Sequence, residues 1–390
     1  MAQNGVEEQE QQDYKLVLAQ KRFECRTQDL DVDRVKLKQE ILDILIQHDM
    51  APAYEAVCTE QGWEVDQAQL DRMAEANAKR LQELEDKVED AEENLGEIDV
   101  REALVAKAEY LASIMDRARA KEAFEAAEAK TAGAGPKMDL VFALLRLDMA
   151  LGDWPAVKAG IEKARQLCSK GGDWERKNKL KVYEAVFLMS VRQFRRAAEL
   201  LLDSIATFTA SALFPYEACI FYTVALAAVA LDRNTLKSEV VDSPEILSVI
   251  DSIPHLGPFL NSLYGSKYGD FMKALAGLSD AVRHDRYLHP HFHHYMREVR
   301  AVAYSQFLES YKSVTLASMA ATFGLGQDFL DAELADFIVA GRLPAKIDKV
   351  AGVVQTNRPD AKTALYQSAI KQGDLLLNRL QKLAKVIDIE

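Results

Sequence analysis

A short turn recurs along the middle of this chain, and it limits the fold more than any other feature. Leu151-Gly152-Asp153-Trp154 ends one helical pattern and precedes Val157 and Ile161 on the next. Val191-Arg192-Gln193-Phe194 does the same before Ala197, Ala198, Leu200 and Leu201, and Tyr268-Gly269-Asp270-Phe271 before Leu275 and Leu278. Trp154 and Phe194 lie 40 residues apart (194 − 154), and Phe194 and Phe271 lie 77 apart (271 − 194), close to two further repeats. Leu231-Asp232-Arg233-Asn234-Thr235-Leu236 marks the intermediate turn, with Leu236 in the aromatic's place. Each unit reads as a helical hairpin whose polar turn is followed by an apolar plug. One hairpin cannot bury its apolar face alone, so such units stack into a right-handed, tetratricopeptide-like solenoid. A fold of this kind offers an extended surface and rarely a catalytic site.

Between about residues 100 and 300 the pattern is almost wholly helical. Two amphipathic helices are expected ahead of it, around Val35–Gln47 and Pro52–Cys58, with Pro52 well placed near a helix start. Residues 1–12, with Glu7, Glu8 and Glu10, read as a disordered lead-in. From Asp66, a heptad-like seam runs through Leu70, Asn77, Leu81, Leu84, Val88, Ala91 and Leu95. That seam fits a coiled-coil contact with another chain, or a stripe packed on this chain's own next helix. The glycine-rich Thr131–Pro136 piece reads as a hinge between hairpins.

The charge is placed unevenly. Residues 1–130 carry 32 Asp and Glu against 17 Lys and Arg, while the remaining 260 carry 29 against 31. No region is basic enough for general nucleic-acid affinity. Cys25, Cys58, Cys168 and Cys219 are far apart without C-x-x-C pairing, which argues for a reducing, intracellular compartment. The longest apolar run, Ala218–Leu231, is 14 residues, too short for a membrane span, so a soluble protein is expected.

Tyr311 to Pro359 has a different organisation. Thr315 suits the cap of a helix with Leu316, Met319, Ala320 and Phe323 on its apolar face, and Gly324 suits its stop. Phe329, Leu330, Leu334, Phe337 and Ile338 recur at helical spacing on the next element, before β-like residues from Ala345 to Asn357. Two helices joined by a tight glycine turn, then two strands, predict a winged helix. Its second helix carries Asp328, Asp331, Glu333 and Asp336 and neither Lys nor Arg, which counts against a phosphate-contacting recognition helix. The tail from Asp360 to Glu390 reads as one more long helix. Its stripe of Leu376, Leu380, Leu383 and Ile387 is worth roughly 6–12 kcal/mol gross if buried, at about 1.5–3 per side chain. A lone terminal helix hides that stripe only by docking, on this chain or another.

Motifs for chemistry are missing. There is no G-x-S-x-G, no papain-type cysteine signature and no H-E-x-x-H. His289-Pro290-His291-Phe292-His293-His294 resembles a zinc-ligating histidine pair of the MPN+ metalloproteases, but the Ser and Asp that such a site needs downstream do not follow. The bland reading is a polar helix start. No cofactor, metal or catalytic residue is expected.

A helical-repeat array running into an acidic winged helix resembles the PCI domain of the proteasome lid, the signalosome and initiation factor three. The segments Tyr304–Tyr311, Ala340–Leu343, Lys346–Val350, Thr356–Asp360 and Gly373–Leu383 are closest to the lid subunits, and the likeness extends over nearly the whole chain. The resemblance implies a mainly α protein, a solenoid followed by a winged helix and a long C-terminal helix. The divisions expected are 1–60, 61–189, 190–303, 304–359 and 360–390. It further implies a non-catalytic lid subunit of the 19S regulatory particle, cytoplasmic and nuclear. Its partners would be other PCI and MPN subunits, with a contact to the ATPase ring left open and neither nucleic acid nor membrane among them. On that resemblance Lys346, Ile347 and Asp348, with Val353, Val354 and Gln355, form a strand edge that pairs with a neighbour. Leu376, Leu380, Leu383 and Ile387 enter a helical bundle. The alternatives are the paralogous signalosome subunit one, a winged-helix nucleic-acid factor and, weakest, an enzyme.

Overall fold

The computed structural model describes residues 12–171, 173–357 and 361–387. The acidic lead-in expected over 1–12 lies outside these residues except for Gln12, as does Asp360, expected near the start of the last helix. The chain divides into two compact units, one of residues up to Gly265 with Lys273–Arg297, the other of Ser266–Met272 with the residues from Glu298 onward.

The first unit is built of helical hairpins. Helices Gln67–Asn94, Glu97–Ser113, Arg117–Lys130, Ala134–Leu151, Trp154–Ser169, Trp174–Ser190, Phe194–Ile205 and Tyr216–Ala230 each pack against the next. The seam of Gln67–Asn94 buries Met73, Asn77, Leu81, Leu84 and Ala91, and the helix lies on its own successor Glu97–Ser113. Tyr110 of that successor donates its hydroxyl hydrogen to Asn77 Oδ1 at 2.9 Å, so the one polar residue buried in the seam has a partner. The intramolecular reading of the heptads therefore accounts for these residues. Tyr216–Ala230 is buried continuously from Cys219 to Ala228, which is why its sequence is apolar without a helical period.

The hairpin turns follow one backbone rule. A left-handed residue closes one helix, and the next helix starts two positions on. Gly152 (φ 76) precedes Trp154, and Arg192 (φ 66) precedes Phe194. Met115 (φ 60) precedes Arg117, and Ser266 (φ 58) precedes Tyr268. The steps between these residues are 37 (152 − 115), 40 (192 − 152) and 74 (266 − 192), the last twice 37. In the third turn the plug equivalent to Trp154 is therefore Tyr268. Gly269, Asp270 and Phe271 already belong to the helix Tyr268–His284, which corrects the expected register by three residues. At the intermediate turn Asp232 leads into a short helix, Arg233–Leu236, and a π turn, Lys237–Val241. Leu236 is buried there as expected.

The two helices expected near the start are Arg34–Gln47 and Ala51–Gln61, the second with proline in its first turn. A further helix, Tyr14–Arg26, precedes them; its N-cap Asp13 accepts the Lys15 N–H at 3.1 Å.

In the second unit, helix Leu316–Phe323 is capped by Thr315 Oγ1, which accepts the Ser318 N–H, and stops at Gly324 (φ 68). Helix Gln327–Val339 buries Leu330, Leu334 and Phe337, and leaves Phe329 half exposed. The sheet has three strands where the sequence indicated two: β1 (Ser313–Thr315), β2 (Ala345–Asp348) and β3 (Val353–Thr356). The order is β1-β3-β2, all antiparallel, with Val354 opposite both Val314 and Ile347. A long helix, Ala361–Ile387, follows.

Candidate partner-binding surfaces

The winged helix is pinned from within by charge. Arg300 and Tyr304, one turn apart on helix Phe292–Glu309, both reach Glu333 on Gln327–Val339. Burial, and then the Glu333 carboxylate, push the Tyr304 phenol well above its ordinary value. Lys349 pairs with Asp331 at 3.2 Å, and Arg342 pairs with Glu298. Of Arg342, Lys346 and Lys349, the basic residues between the second helix and β3, two thus face carboxylates. The exposed side of the second helix keeps Asp328 and Asp336 beside Phe329 and Val339, an acidic and partly apolar face unsuited to phosphate.

The sheet separates the expected edge residues into two groups. Lys346, Ile347 and Asp348 stand on β2, an outer strand paired on one side only. Val353, Val354 and Gln355 stand on β3, the central strand, where each is opposite a residue of β1 and a residue of β2. Their placement at a strand edge is corrected, since both sides of β3 are already paired within the chain. Val354 is fully buried. The second outer strand is β1, which sequence reading passed over: three residues long, it pairs only with a strand some 40 residues later.

On helix Ala361–Ile387, Leu376, Leu380, Leu383 and Ile387 are all exposed, and with them Leu365, Tyr366, Ile370, Leu375, Leu377 and Val386. These ten side chains are 53–70% exposed, more apolar surface than the four-residue stripe alone. Contiguous apolar exposure along one helix is more than the singly scattered surface side chains of an ordinary soluble chain.

The histidines of 289–294 are used in packing. His289 Nδ1 lies 2.8 Å from the Arg283 carbonyl, and His291 Nε2 lies 2.8 Å from that of Ser190. The ring of His294 lies against Phe194, the plug of the second turn. Among the described residues, no group of His, Cys, Asp or Glu has metal-holding geometry, and no helix is long and apolar enough to cross a membrane.

Helical hairpins, an acidic winged helix and a trailing apolar helix together define a PCI-domain protein, and residues 273–358 match the PCI domain family. Residues 66–239 match the family described as 26S proteasome subunit RPN7, and residues 366–387 match the RPN7/PSMD6 C-terminal helix. The chain is 54% identical over 375 residues to the 26S proteasome non-ATPase regulatory subunit 6 homolog of Arabidopsis thaliana, covering 96% of this chain and 97% of that one. It is 50% identical over 386 residues to the 26S proteasome non-ATPase regulatory subunit 6 of Oryza sativa subsp. japonica, covering 99% of each. Likeness to the COP9 signalosome complex subunit 1 of Arabidopsis thaliana is 26% over 148 residues, 38% of this chain and 34% of that one. The chain belongs to the family of 26S proteasome non-ATPase regulatory subunit 6.

Proposed function

We propose that this chain is a non-catalytic scaffold subunit of the 26S proteasome regulatory particle lid, supporting lid assembly and thereby the ATP-dependent degradation of ubiquitinated proteins. The observation that carries the reading is the row of exposed apolar side chains from Leu365 to Ile387 on the last helix, in a chain whose family membership extends over residues 366–387. Its Leu376, Leu380, Leu383 and Ile387 stripe docks into a bundle of helices from neighbouring subunits. Lys346, Ile347 and Asp348 on outer strand β2 offer backbone groups for lateral pairing with a neighbouring PCI subunit. Val353, Val354 and Gln355 support that pairing from behind, as the strand against which β2 is held. The partners are other PCI and MPN subunits, and the working compartments are the cytoplasm and the nucleus. The limited cover of the signalosome relative and the acidic second helix favour neither alternative.

The test is mass spectrometry of what co-purifies with the native chain, beside the same chain lacking residues 361–390. Full-length protein should bring down lid subunits; the truncated chain should stay folded and lose them. Intact lid assembly around the truncated chain would overturn the docking role of the helix.

A further inference from the structure

In a repeat array each hairpin contacts only its neighbours, and such arrays tend to open piece by piece. Helix Tyr14–Arg26 breaks that rule within the first unit. Its apolar face, Leu16, Leu18 and Ala19, is buried, and it packs on Ala134–Leu151 as well as on Arg34–Gln47. Asp13 donates its N–H to the Ala212 carbonyl at 3.0 Å and pairs through its carboxylate with Arg146 at 3.2 Å. Tyr14 donates its hydroxyl hydrogen to the Ser113 carbonyl at 3.1 Å. Further along, Gln20 uses both ends of its amide on the end of helix Tyr268–His284 and the residues just after it. The NH2 donates to the His284 carbonyl, and the side-chain oxygen accepts the Arg286 N–H at 3.3 Å. Phe23 sets its ring edge-on to His289, with centroids 5.0 Å apart. One helix of 13 residues thus touches elements separated from it by as many as 266 positions.

We infer that Tyr14–Arg26 is a clasp, which ties the early hairpins to the segment 284–289 so that they open together and not one after another. The apolar seat faces the early hairpins, whereas the polar grip at Gln20 and the ring of Phe23 are what reach 284–289, with a backbone carbonyl and a backbone N–H both satisfied there. Lys21 and Arg22, on the same helix, pair instead with Glu40 and Glu60 of the adjacent hairpin, and so provide a local control.

The test is native-state hydrogen exchange of the full chain in graded low denaturant. Amides of Tyr14–Arg26 and of residues 281–291 should open in one step with the same denaturant dependence. Opening of Tyr14–Arg26 alone, with 281–291 protected as before, would overturn the clasp. Gln20→Ala with Phe23→Ala should speed exchange at least tenfold across residues 281–291, whereas Lys21→Ala with Arg22→Ala should leave that segment unchanged. Equal rates there in the two variants would also overturn it. If the first variant does not fold, the experiment on the unmodified chain decides alone.

Discussion

Tyr304 and Glu333 are joined by a hydrogen bond of 2.7 Å, and the other oxygen of the same carboxylate lies 2.6 Å from the Arg300 guanidinium. This arrangement explains how an acidic residue can point inward from the second helix of a winged helix. Replacing Tyr304 with Phe leaves the carboxylate its arginine but removes one charge-assisted bond, at a cost of about 1.5–3 kcal/mol. Faster amide exchange across Gln327–Val339 measures the loss. Unchanged protection would show that the bond contributes nothing there.

Several tyrosines are similarly buried, and together they set an alkaline limit. Burial is the first cause for Tyr14, pushed up to about 12, and for Tyr222, Tyr295 and Tyr304, all raised. In the unfolded chain these phenols lose their protons near pH 10, whereas the folded chain holds them to higher pH. Their contribution is therefore fully present below about pH 10 and is lost as pH rises towards the folded values. A titration of tyrosinate absorbance should show a cooperative step coincident with loss of helical circular dichroism. A gradual titration of all tyrosines in a folded chain would contradict this.

Val353→Pro should act within the winged helix. Val353 is opposite Thr315 on one side and Asp348 on the other, so proline interrupts a central strand. Hydrogen exchange should rise in β1 and β2 together. A variant with both outer strands still protected, and only partner binding reduced, would place Val353 at a free edge after all.

Leu376→Asp, Leu380→Asp and Leu383→Asp, made together, should separate assembly from stability. All three side chains are exposed, so each change should fall within about 0.5 kcal/mol of neutral for the isolated chain. Co-purification of lid subunits should nevertheless fail. A large drop in the melting temperature of the isolated chain would mean that the helix is packed on its own protein.

Cys219 is fully buried, and burial pushes its thiol up to about 12. It should resist alkylation at pH 8 until the chain unfolds, because the thiolate is the reactive form. Mass spectrometry after a brief pulse of iodoacetamide reads this directly. Modification at the rate of a free thiol would show that helix Tyr216–Ala230 opens readily.

The parts of this fold that could be read from sequence are those whose cause is local. Gly152 and Gly324 mark their turns because the left-handed backbone favours glycine, and Thr315 marks its helix because a hydroxyl cap needs only the next three residues. The turn at Ser266 has the same backbone without a glycine, so the aromatic Phe271 attracted the register away from Tyr268. Helix Tyr14–Arg26 mixes Leu16, Val17 and Leu18 with four basic residues, and much of what holds it comes from residues 100 or more positions away. The same holds for the sheet: nothing near Val353 states that β1 will occupy its second side. On the last helix, the 376, 380, 383 and 387 spacing was legible, but the width of the apolar surface around it emerges only from exposure.

The strand order has a consequence for synthesis. β3 is the last of the three strands to be made, yet it lies between the other two. The 38 residues from Leu316 through Val353 separate the end of β1 from the completion of its first pairing. At about 5–20 residues per second, synthesis of that stretch takes roughly 2–8 s, during which β1 has no partner strand. Neither outer strand has a sheet to belong to until then. The edge of β2 therefore belongs to a finished sheet only on chains whose translation has run past Thr356.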